Sequence, residues 1–487
     1  MGGEGMAILR KFRETAEIKT IEAILKMLPK MNEKDLIKAT YLVERLPYDE
    51  GIKSAVKIVR EYFQQGHPCV KLARRIWQEL SPHCLNKLVR NFFINACFLS
   101  DRIRKVIKEK EGYHLPWFMV MSPTMKCNLR CKGCSVHSYN KEEDLPREVV
   151  DKVLREAEEL GIYFVTIQGG ETFVREDMLD IYSAHPDIYF QVYSNGVLID
   201  KKMARRLAEL GNVEVNVSLE GFEKMTDSRR GKGVYKKVME AMDNLREAGV
   251  LYGFSVTQTR VNTDEITSDE FFNKMIEKGC YIGWFFHYIP LGKNPDVSLI
   301  PTPQQRNKLR EKLKEVRTTL PLFVGDFWND GPFVQGCIAG ARQYVHINNK
   351  GDVEPCAFCH FAVDNVKGGK SLKEVFNSPF FKEMREKIQW IQASSAYSDN
   401  LLTPCQIIDQ PWVLRELVEK HNAYSTDEAG DVLLKGKVAR VLDEYSKQIH
   451  HLYDEIWEND PYYRPIREKI REERAKLFGL AEKVSSQ

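Results

Sequence analysis

The sequence predicts an α/β protein whose middle part is built on a parallel sheet. Between residues 113 and 315, short apolar runs typical of buried strands alternate with longer stretches of helical periodicity. Strands that alternate with helices of this length are typical of repeated βαβ units, in which the strands run parallel. Polar residues end several of these runs, at the strand ends where functional side chains collect. The strand-like runs are YFVTIQ, YFQVYSNG, VEVNVSLEG, YGFSVTQT and YIGWFFHYIPLG.

The chain has 487 residues, which is enough for this unit and two or three smaller ones. Its composition, 43% hydrophobic and 29% charged, is typical of a protein that is folded throughout. Turn and proline signals at 111–113 and 301–303 mark changes of structure. The predicted parts are a basic helical amino-terminal domain (1–112), the parallel unit (113–315), a small cysteine-bearing α+β domain (316–412) and a helical tail (413–487) that breaks near Asp460-Pro461.

The amino-terminal domain is predicted to be helical because apolar residues recur at three- and four-residue steps in IEAILKMLPKM and KATYLVERL. From Gly51 to Lys110 there are 13 Lys and Arg against four Asp and Glu, a local charge of +9 in a chain of net charge +3. Such a segment either lies on an anionic membrane surface or forms a cap whose apolar face packs on the rest of the protein. Its interleaved apolar residues are Leu88, Val89, Phe92, Phe93, Ile94, Phe98 and Leu99.

This basic segment is too short to span a bilayer. The uncharged run from Asn91 to Ser100 is ten residues long, and a spanning helix needs about twenty. Its basic residues come without a recognition motif, so nucleic acid is not expected as a partner.

Three cysteines with the spacing Cys127-x3-Cys131-x2-Cys134 precede the first of these strand-like runs. Thiolates are soft ligands suited to iron–sulfur clusters. A [4Fe–4S] cluster held by three thiolates keeps its fourth iron open to a small molecule. The alternative is a zinc knuckle with His137 as the fourth ligand.

With this triad the chain resembles the radical S-adenosylmethionine (SAM) superfamily over about residues 116–315. The CxxxCxxC motif of that family lies in the loop after the first strand of a partial (β/α)6 barrel. The resemblance implies that the three cysteines hold the cluster that binds SAM and are the catalytic centre. Gly169-Gly170-Glu171 matches the GGE motif of the family, whose backbone and glutamate receive the SAM amino group.

Further SAM-binding residues are implied at later strand ends. Ser194 and Asn195 follow the third strand, and Ser218 and Glu220 lie where relatives touch the SAM ribose or methionyl part. Arg229 lies where many relatives pair with the SAM carboxylate. The chain departs from the family at Gly133, where an aromatic residue is common, and at Thr172, which replaces the proline after GGE.

The resemblance also implies the chemistry. An electron delivered to the cluster, by a reductant such as ferredoxin or flavodoxin, cleaves SAM to methionine and a 5′-deoxyadenosyl radical, which abstracts hydrogen from an unactivated C–H bond. Because such clusters are oxygen-sensitive and the chain opens with no apolar signal segment, we expect a cytoplasmic protein. If the basic domain binds lipid, the protein lies at the inner face of the membrane.

A second cysteine set consists of Cys337, Cys356, Cys359 and Cys405. The stretch QYVHINNKGDVEPC predicts a hairpin, since Asn and Gly supply the positive φ of tight turns. The set resembles the twitch or SPASM-type domain that holds an auxiliary [4Fe–4S] cluster. If all four cysteines are ligands the cluster passes electrons, and if Cys405 is not a ligand an open iron remains. A rubredoxin-like or zinc site is the alternative.

The layout as a whole is similar to that of enzymes that make membrane-spanning lipids of the tetraether or diabolic-acid type. This similarity implies a lipid or fatty acyl chain as substrate, whose hydrocarbon ends are joined by a C–C bond. Two alternatives are a SPASM-type peptide maturase and a non-catalytic iron–sulfur redox protein. The aromatic and apolar cluster expected to line an acyl channel is Trp284, Phe285, Phe286, Tyr288 and Ile289.

Overall fold

Seven parallel strands form the centre of the structure. The computed structural model describes residues 33–45, 50–292, 294–388 and 399–477. Each strand pairs in parallel with the next one along the chain, which confirms the predicted α/β fold class. The strands are β1 (Phe118–Met121), β2 (Phe164–Ile167), β3 (Tyr189–Ser194), β4 (Val213–Leu219), β5 (Tyr252–Gln258), β6 (Ile282–His287) and β7 (Phe323–Asp326).

The sheet is curved around an interior. Phe118 in β1 and Phe323 in β7, from the two ends of the row of seven, border the same cavity. The opposite faces of the strands carry buried apolar residues that pack on surrounding helices, as Phe254 does on Phe271. Strands covered on both faces are typical of parallel sheets. The six predicted strands of the partial barrel are therefore present, and β7 is an additional parallel strand.

The described amino-terminal residues are helical, as predicted, while IEAILKMLPKM lies outside the described residues. The segment Leu88–Leu99 is wound as a π-helix and packs on the barrel. Its Asn91 side chain donates hydrogen bonds to the carbonyls of Pro186 (2.8 Å) and Ile188 (3.0 Å). The helices are α1 (Glu33–Glu44), α2 (Glu50–Gln64), α3 (Pro68–Glu79), α4 (Pro82–Lys87), α5 (Leu88–Leu99) and α6 (Ser100–Glu111).

The position of helix α5 shows how the apolar residues of the basic segment pack. Of the seven, only Phe93 is exposed. Phe92 meets the rings of Phe164 and Tyr189 at the start of two strands, at centroid distances of 5.4 and 5.7 Å. These residues form a cap on the barrel, as in the second of the two alternatives. Contact between the basic surface and a membrane stays a prediction.

Within the part of the chain that the structure describes, no helix combines the length and the apolar character needed to cross a bilayer.

The barrel helices are amphipathic and clearly delimited. The Asp200 side chain caps one of them by accepting a hydrogen bond from the Met203 N–H, and Gly211 ends it in the left-handed conformation. The helices are α7 (Arg147–Glu159), α8 (Met178–Ala184), α9 (Lys201–Leu210), α10 (Glu223–Arg230), α11 (Val234–Ala248), α12 (Thr263–Ile266) and α13 (Asp269–Glu277).

The region after β6 is joined to the barrel more closely than the predicted domains imply. The boundary at residues 315 and 316 lies inside α14 (Pro303–Thr319), and β7 follows in the same sheet. The predicted hairpin is β8 (His346–Ile347) with β9 (Val353–Glu354), and β8 pairs in parallel with β1. The other elements are α15 (Gly331–Val334), β10 (Phe361–Ala362), α16 (Leu372–Phe376), α17 (Pro379–Ile388), α18 (Pro411–Lys420) and β11 (Tyr424–Ser425).

From Gly436 onward the tail forms two helices, α19 (Gly436–Asn459) and α20 (Arg464–Leu477), and the predicted break at Asp460-Pro461 lies between them. Buried residues of α19, including Leu442 and Ile449, pack in a second hydrophobic core that contains Cys356 and Cys359. The tail therefore covers the cysteine-bearing region.

One buried ion pair fastens this region to α14. Arg306 and Asp409 are both fully buried and lie 2.5 Å apart. Arg306 also donates to the Leu402 carbonyl (2.8 Å), while Asp409 accepts the Cys405 N–H (3.0 Å). Because a buried charge must be paired, this arrangement holds the loop that carries Cys405 in one position.

We expect Arg306→Met to destabilise the protein by about 3–5 kcal/mol, because the Asp409 carboxylate is left buried without its counter-charge. The double variant Arg306→Met/Asp409→Leu should recover part of this loss, since it removes both charges. Urea unfolding followed by circular dichroism measures both effects. An unchanged unfolding midpoint for the single variant would contradict the prediction.

Candidate active site

A cavity of about 200 Å³ lies at the carboxyl ends of the strands, where the three cysteines of the first set meet. Most of the residues predicted to bind the cluster or SAM border it. Those residues are Cys127, Cys131, Cys134, Gly169, Gly170, Ser194, Asn195, Ser218 and Arg229. Glu171 and Glu220 lie behind this wall and hold lining residues in place.

The GGE backbone lies directly against the cysteine loop. The Gly170 N–H donates to the Thr124 carbonyl (3.0 Å), and the Glu171 N–H donates to the Lys126 carbonyl (2.8 Å). A Cβ on Gly170 would lie 2.0 Å from the Lys126 oxygen, and one on Gly169 would lie 2.4 Å from the Thr124 oxygen. Glycine is required because no side chain fits between these two backbone segments.

The Glu171 carboxylate ties this turn to the end of β3. It accepts hydrogen bonds from the Ser194 hydroxyl (2.8 Å), the Asn195 N–H (2.7 Å) and the Phe173 N–H (3.2 Å). Burial raises the pKa of Glu171, and these hydrogen bonds oppose the rise. Its predicted contact with the SAM amino group stays a prediction.

Glu220 organises the basic side of the cavity. Its Oε1 accepts hydrogen bonds from Arg230 Nε (2.9 Å) and Nη2 (2.6 Å), and from Arg229 Nη1 (2.5 Å). Its Oε2 is buried and has no hydrogen-bond partner among the described residues. Two guanidinium groups and one unsatisfied carboxylate oxygen beside a cavity suit a polar ligand that carries both an anionic and a hydrogen-bond-donating group.

The departure at Gly133 has a structural explanation. Gly133 has a φ of +66°, and a Cβ there would lie 2.7 Å from the ring of Tyr288. Tyr288 follows β6, so an aromatic ring reaches the cysteine loop from another strand. The loop is also fastened to α10, because the Lys132 N–H donates to the Arg229 carbonyl (2.9 Å).

The second cysteine set lies at the second core, where Cys356 and Cys359 are buried and Cys337 and Cys405 are half-buried. Burial, with a smaller contribution from a neighbouring thiol of the set, raises the pKa of the Cys337, Cys356 and Cys405 thiols to about 12. Cys359 is also fully buried, with its pKa raised for the same reasons. Thiols brought together away from water are disfavoured as thiolates unless a metal centre neutralises them, so this donor set fits an iron–sulfur cluster.

The auxiliary loop forms part of the active-site wall. Ala357 and Phe358, between two cysteines of the second set, border the cavity that contains the first set. The Phe358 ring lies 5.3 Å from that of Trp328 and 6.4 Å from that of Phe286. The loops that carry the two cysteine sets therefore border one and the same cavity.

A second cavity, of about 550 Å³, fills the interior of the barrel. It adjoins the first, because both are bordered by Gln168, Tyr193, Phe286, Ala357 and Phe358. Of the five residues predicted to line an acyl channel, Trp284 and Phe286 border this cavity. The other three lie elsewhere: Phe285 packs on Phe254 and Phe272, and Tyr288 and Ile289 belong to the second core.

The sequence analysis did not predict several residues that line the first cavity. Arg230 follows the predicted Arg229 directly, and its role depends on the position of Glu220. Tyr193 lies two residues before Asn195 in the chain. Because side chains two residues apart on a strand face the same side, the sequence could have predicted that Tyr193 borders the cavity with Asn195. Nothing in the local sequence indicates that Phe358 reaches the first cavity.

Comparison with known proteins agrees with this geometry. The chain matches the radical SAM superfamily over residues 121–271 and the SPASM iron–sulfur cluster-binding domain over residues 337–406. The mycofactocin maturase MftC of Mycolicibacterium smegmatis is 30% identical over 303 residues, which cover 58% of this chain and 76% of MftC. This chain belongs to the radical SAM superfamily.

Membership confirms the predicted cofactors: SAM with a [4Fe–4S] cluster, and auxiliary iron–sulfur in the SPASM domain. The PqqA peptide cyclase of Bradyrhizobium diazoefficiens is 25% identical over 303 residues, covering 56% of this chain and 77% of the cyclase. The crystal structure of Streptococcus suis SuiB bound to S-adenosylmethionine superposes with a TM-score of 0.51 at 18% identity, covering 72% of this chain and 84% of SuiB. This last similarity concerns the fold.

We expect Gly170→Ala to lower SAM cleavage by about a hundredfold or more, because its Cβ displaces the backbone that precedes Cys127 and a misplacement of 1 Å at a reacting centre can cost that much. Anaerobic assays of 5′-deoxyadenosine formation measure the effect. Gly369→Ala is the control, since no atom lies within 4 Å of a Cβ there. Equal activity of the two variants would contradict the prediction.

Proposed function

We propose that this radical SAM enzyme is a SPASM-type maturase that modifies a peptide at an unactivated C–H bond. The observation that carries the proposal is the shared wall: the loop between Cys356 and Cys359 borders the cavity that contains the first cysteine set. Support for a peptide comes from MftC and the PqqA peptide cyclase, which this chain resembles over three quarters of their lengths.

We assign Cys127, Cys131 and Cys134 as the ligands of the catalytic cluster. The Gly169 and Gly170 backbone, Ser194, Asn195, Ser218 and Arg229 would surround SAM, with Glu171 and Glu220 positioning them. When bound, SAM and the cluster supply a carbon radical strong enough to take hydrogen from an aliphatic carbon. The chain itself supplies orientation, a buried cavity and two guanidinium groups for the anionic end of the cofactor.

We assign Cys337, Cys356, Cys359 and Cys405 as the ligands of an auxiliary cluster. Cys405 packs against the same core as the other three, and the Asp409 carboxylate accepts a hydrogen bond from its N–H, which supports a fully ligated cluster over one with an open iron. These four cysteines would hold a cluster that could take up the electron released when a substrate radical is oxidised to product. A reductant such as ferredoxin or flavodoxin would supply the catalytic cluster.

A second candidate function is the coupling of lipid hydrocarbon chains. It is favoured by the cavity inside the barrel, whose wall is mainly aromatic and apolar. A short peptide side chain would fill only part of this space, whereas a hydrocarbon chain would use its length.

Substitution of one cysteine from each set should separate the two clusters. We expect Cys131→Ala and Cys356→Ala each to lose about half of the iron, since each set would hold one cluster of four irons. Cys131→Ala should abolish SAM cleavage, whereas Cys356→Ala should retain it and lose product formation. Cys69→Ala, outside both sets, is the matched control. Full iron content in either variant would contradict the assignment.

The substrate class can be decided by deuterium transfer. The reconstituted enzyme is incubated under reducing conditions with SAM and either the peptide fraction or the lipid extract of cells grown in deuterated medium. Deuterium in 5′-deoxyadenosine from the peptide fraction supports the first candidate, and deuterium from the lipid extract alone supports the second. SAM cleavage without deuterium from either fraction would exclude both.

A further inference from the structure

We infer that the Tyr344 hydroxyl donates a hydrogen bond to the Cys356 sulfur and thereby raises the reduction potential of the auxiliary cluster. This inference rests on the proposed assignment of Cys356 as a cluster ligand. It deepens that assignment by naming the side chain that sets how readily an electron is taken up at this centre. Tyr344 is a positioning residue, because it acts through a ligand and does not touch the reacting atoms.

The hairpin of β8 and β9 brings Tyr344 and Cys356 to the same face. In its antiparallel register His346 pairs with Glu354, and these two side chains meet at 2.5 Å. Tyr344 lies two residues before His346, and Cys356 lies two residues after Glu354. Because side chains two residues apart on a strand face the same side, Tyr344 and Cys356 follow this pair on one face. Both also border the same cavity.

Backbone hydrogen bonds fasten the turn that carries Tyr344 beside the ligand. The Tyr344 N–H donates to the Ile338 carbonyl (3.2 Å), and the Gly340 N–H donates to the Pro355 carbonyl (2.9 Å). Pro355 precedes Cys356 directly. The segment from 338 to 344 and the start of the cysteine loop therefore keep a fixed relation.

The hydroxyl of Tyr344 is a buried donor in need of an acceptor. It has no hydrogen-bond partner of ordinary geometry among the described residues, and a buried hydroxyl without a partner is costly. At neutral pH a tyrosine hydroxyl is protonated and can donate. Burial raises the pKa of the Cys356 thiol to about 12, and the Tyr344 hydroxyl is the group that most opposes this rise. The Cys356 sulfur is therefore the acceptor that suits this hydroxyl.

Aromatic neighbours hold the Tyr344 ring in place. The ring stacks on Phe118 at a centroid distance of 5.0 Å and an angle of 15°, and it meets the edge of Phe327 at 6.0 Å. A ring packed in this way keeps its hydroxyl in one direction. Because these contacts do not involve the hydroxyl, Tyr344→Phe removes the donor and leaves the packing.

The sulfur atoms of this set already accept backbone hydrogen bonds. The Phe358 N–H donates to Cys356 Sγ (3.3 Å), and the Ile407 N–H donates to Cys405 Sγ (3.4 Å). Hydrogen bonds to sulfur are among the factors that set the potential of an iron–sulfur centre, since a donor stabilises the more negative, reduced state. Tyr344 adds a donor from a side chain. It thus favours uptake of an electron, which the oxidation of a substrate radical requires.

The experiment is a redox titration of the full-length, reconstituted enzyme, followed by electron paramagnetic resonance. We expect Tyr344→Phe to lower the equilibrium constant for reduction of the auxiliary cluster about tenfold, a downward shift of about 59 mV for a one-electron couple. The potential of the catalytic cluster should not change. Cys131→Ala, which should keep only the auxiliary cluster, identifies the signal that belongs to it.

Tyr182→Phe is the matched control for the titration. The Tyr182 hydroxyl is also buried without a partner among the described residues, but Tyr182 belongs to the first core, away from the second cysteine set. We expect this variant to keep the potential of the auxiliary cluster. The same potential in Tyr344→Phe and in Tyr182→Phe would overturn the inference.

Pulsed electron paramagnetic resonance in deuterated buffer tests the hydrogen bond itself. We expect the reduced auxiliary cluster of the unsubstituted enzyme to show a coupling to an exchangeable deuteron that is absent from Tyr344→Phe and present in Tyr182→Phe. A purely structural role of Tyr344 would not remove this coupling. Identical deuteron couplings in all three proteins would overturn the inference.

Iron content separates failure of this inference from failure of the proposed ligand assignment. Full iron in Cys356→Ala would overturn the assignment and the inference together. Loss of about half of the iron in Cys356→Ala, with an unchanged potential in Tyr344→Phe, would overturn the inference alone and leave the assignment standing.

Discussion

The active site depends on the close approach of two backbone segments. Gly169 and Gly170 lie against the carbonyls of Thr124 and Lys126 at distances that exclude any side chain. This contact places the turn after β2 beside the loop that carries Cys127. A flexible cysteine loop would lose much conformational entropy when it binds a cluster. The backbone hydrogen bonds between these two segments already order the loop, so less entropy is lost on binding.

Buried hydrogen bonds also join the segments that carry the two cysteine sets. Ser138, four residues after Cys134, donates a hydrogen bond of 2.5 Å to Asp427, which also bonds Nδ1 of His360 at 2.7 Å. His360 follows Cys359 directly. The neighbouring Tyr139 hydroxyl donates to Glu354 (2.7 Å) near Cys356. Buried polar groups hold their positions firmly when they are satisfied, so the segments that carry the two centres keep a fixed relation.

The relatives and the cavities bear on different parts of the function. Similarity to MftC lies in 58% of this chain and supports the chemistry common to radical SAM enzymes with SPASM domains. The shape and polarity of the space between the centres determine which carbon can approach, because hydrogen abstraction requires the C–H bond to be held beside the radical. In that space the rings of Tyr193, Phe286 and Phe358 border the first cavity.

The sequence by itself determined the α/β class, the helical ends, the hairpin and nine of the residues that border the first cavity, because period, cysteine spacing and glycine are local signals. Only the tertiary structure decided that α5 is a cap, that β7 joins the sheet, that Glu171 and Glu220 act on other residues, and that Tyr288 and Phe358 reach the first cavity. Each of these depends on contacts between residues far apart in the chain, where burial and hydrogen-bond partners are set by packing. A strand's alternation shows which residues share a face, but not what the curved sheet encloses.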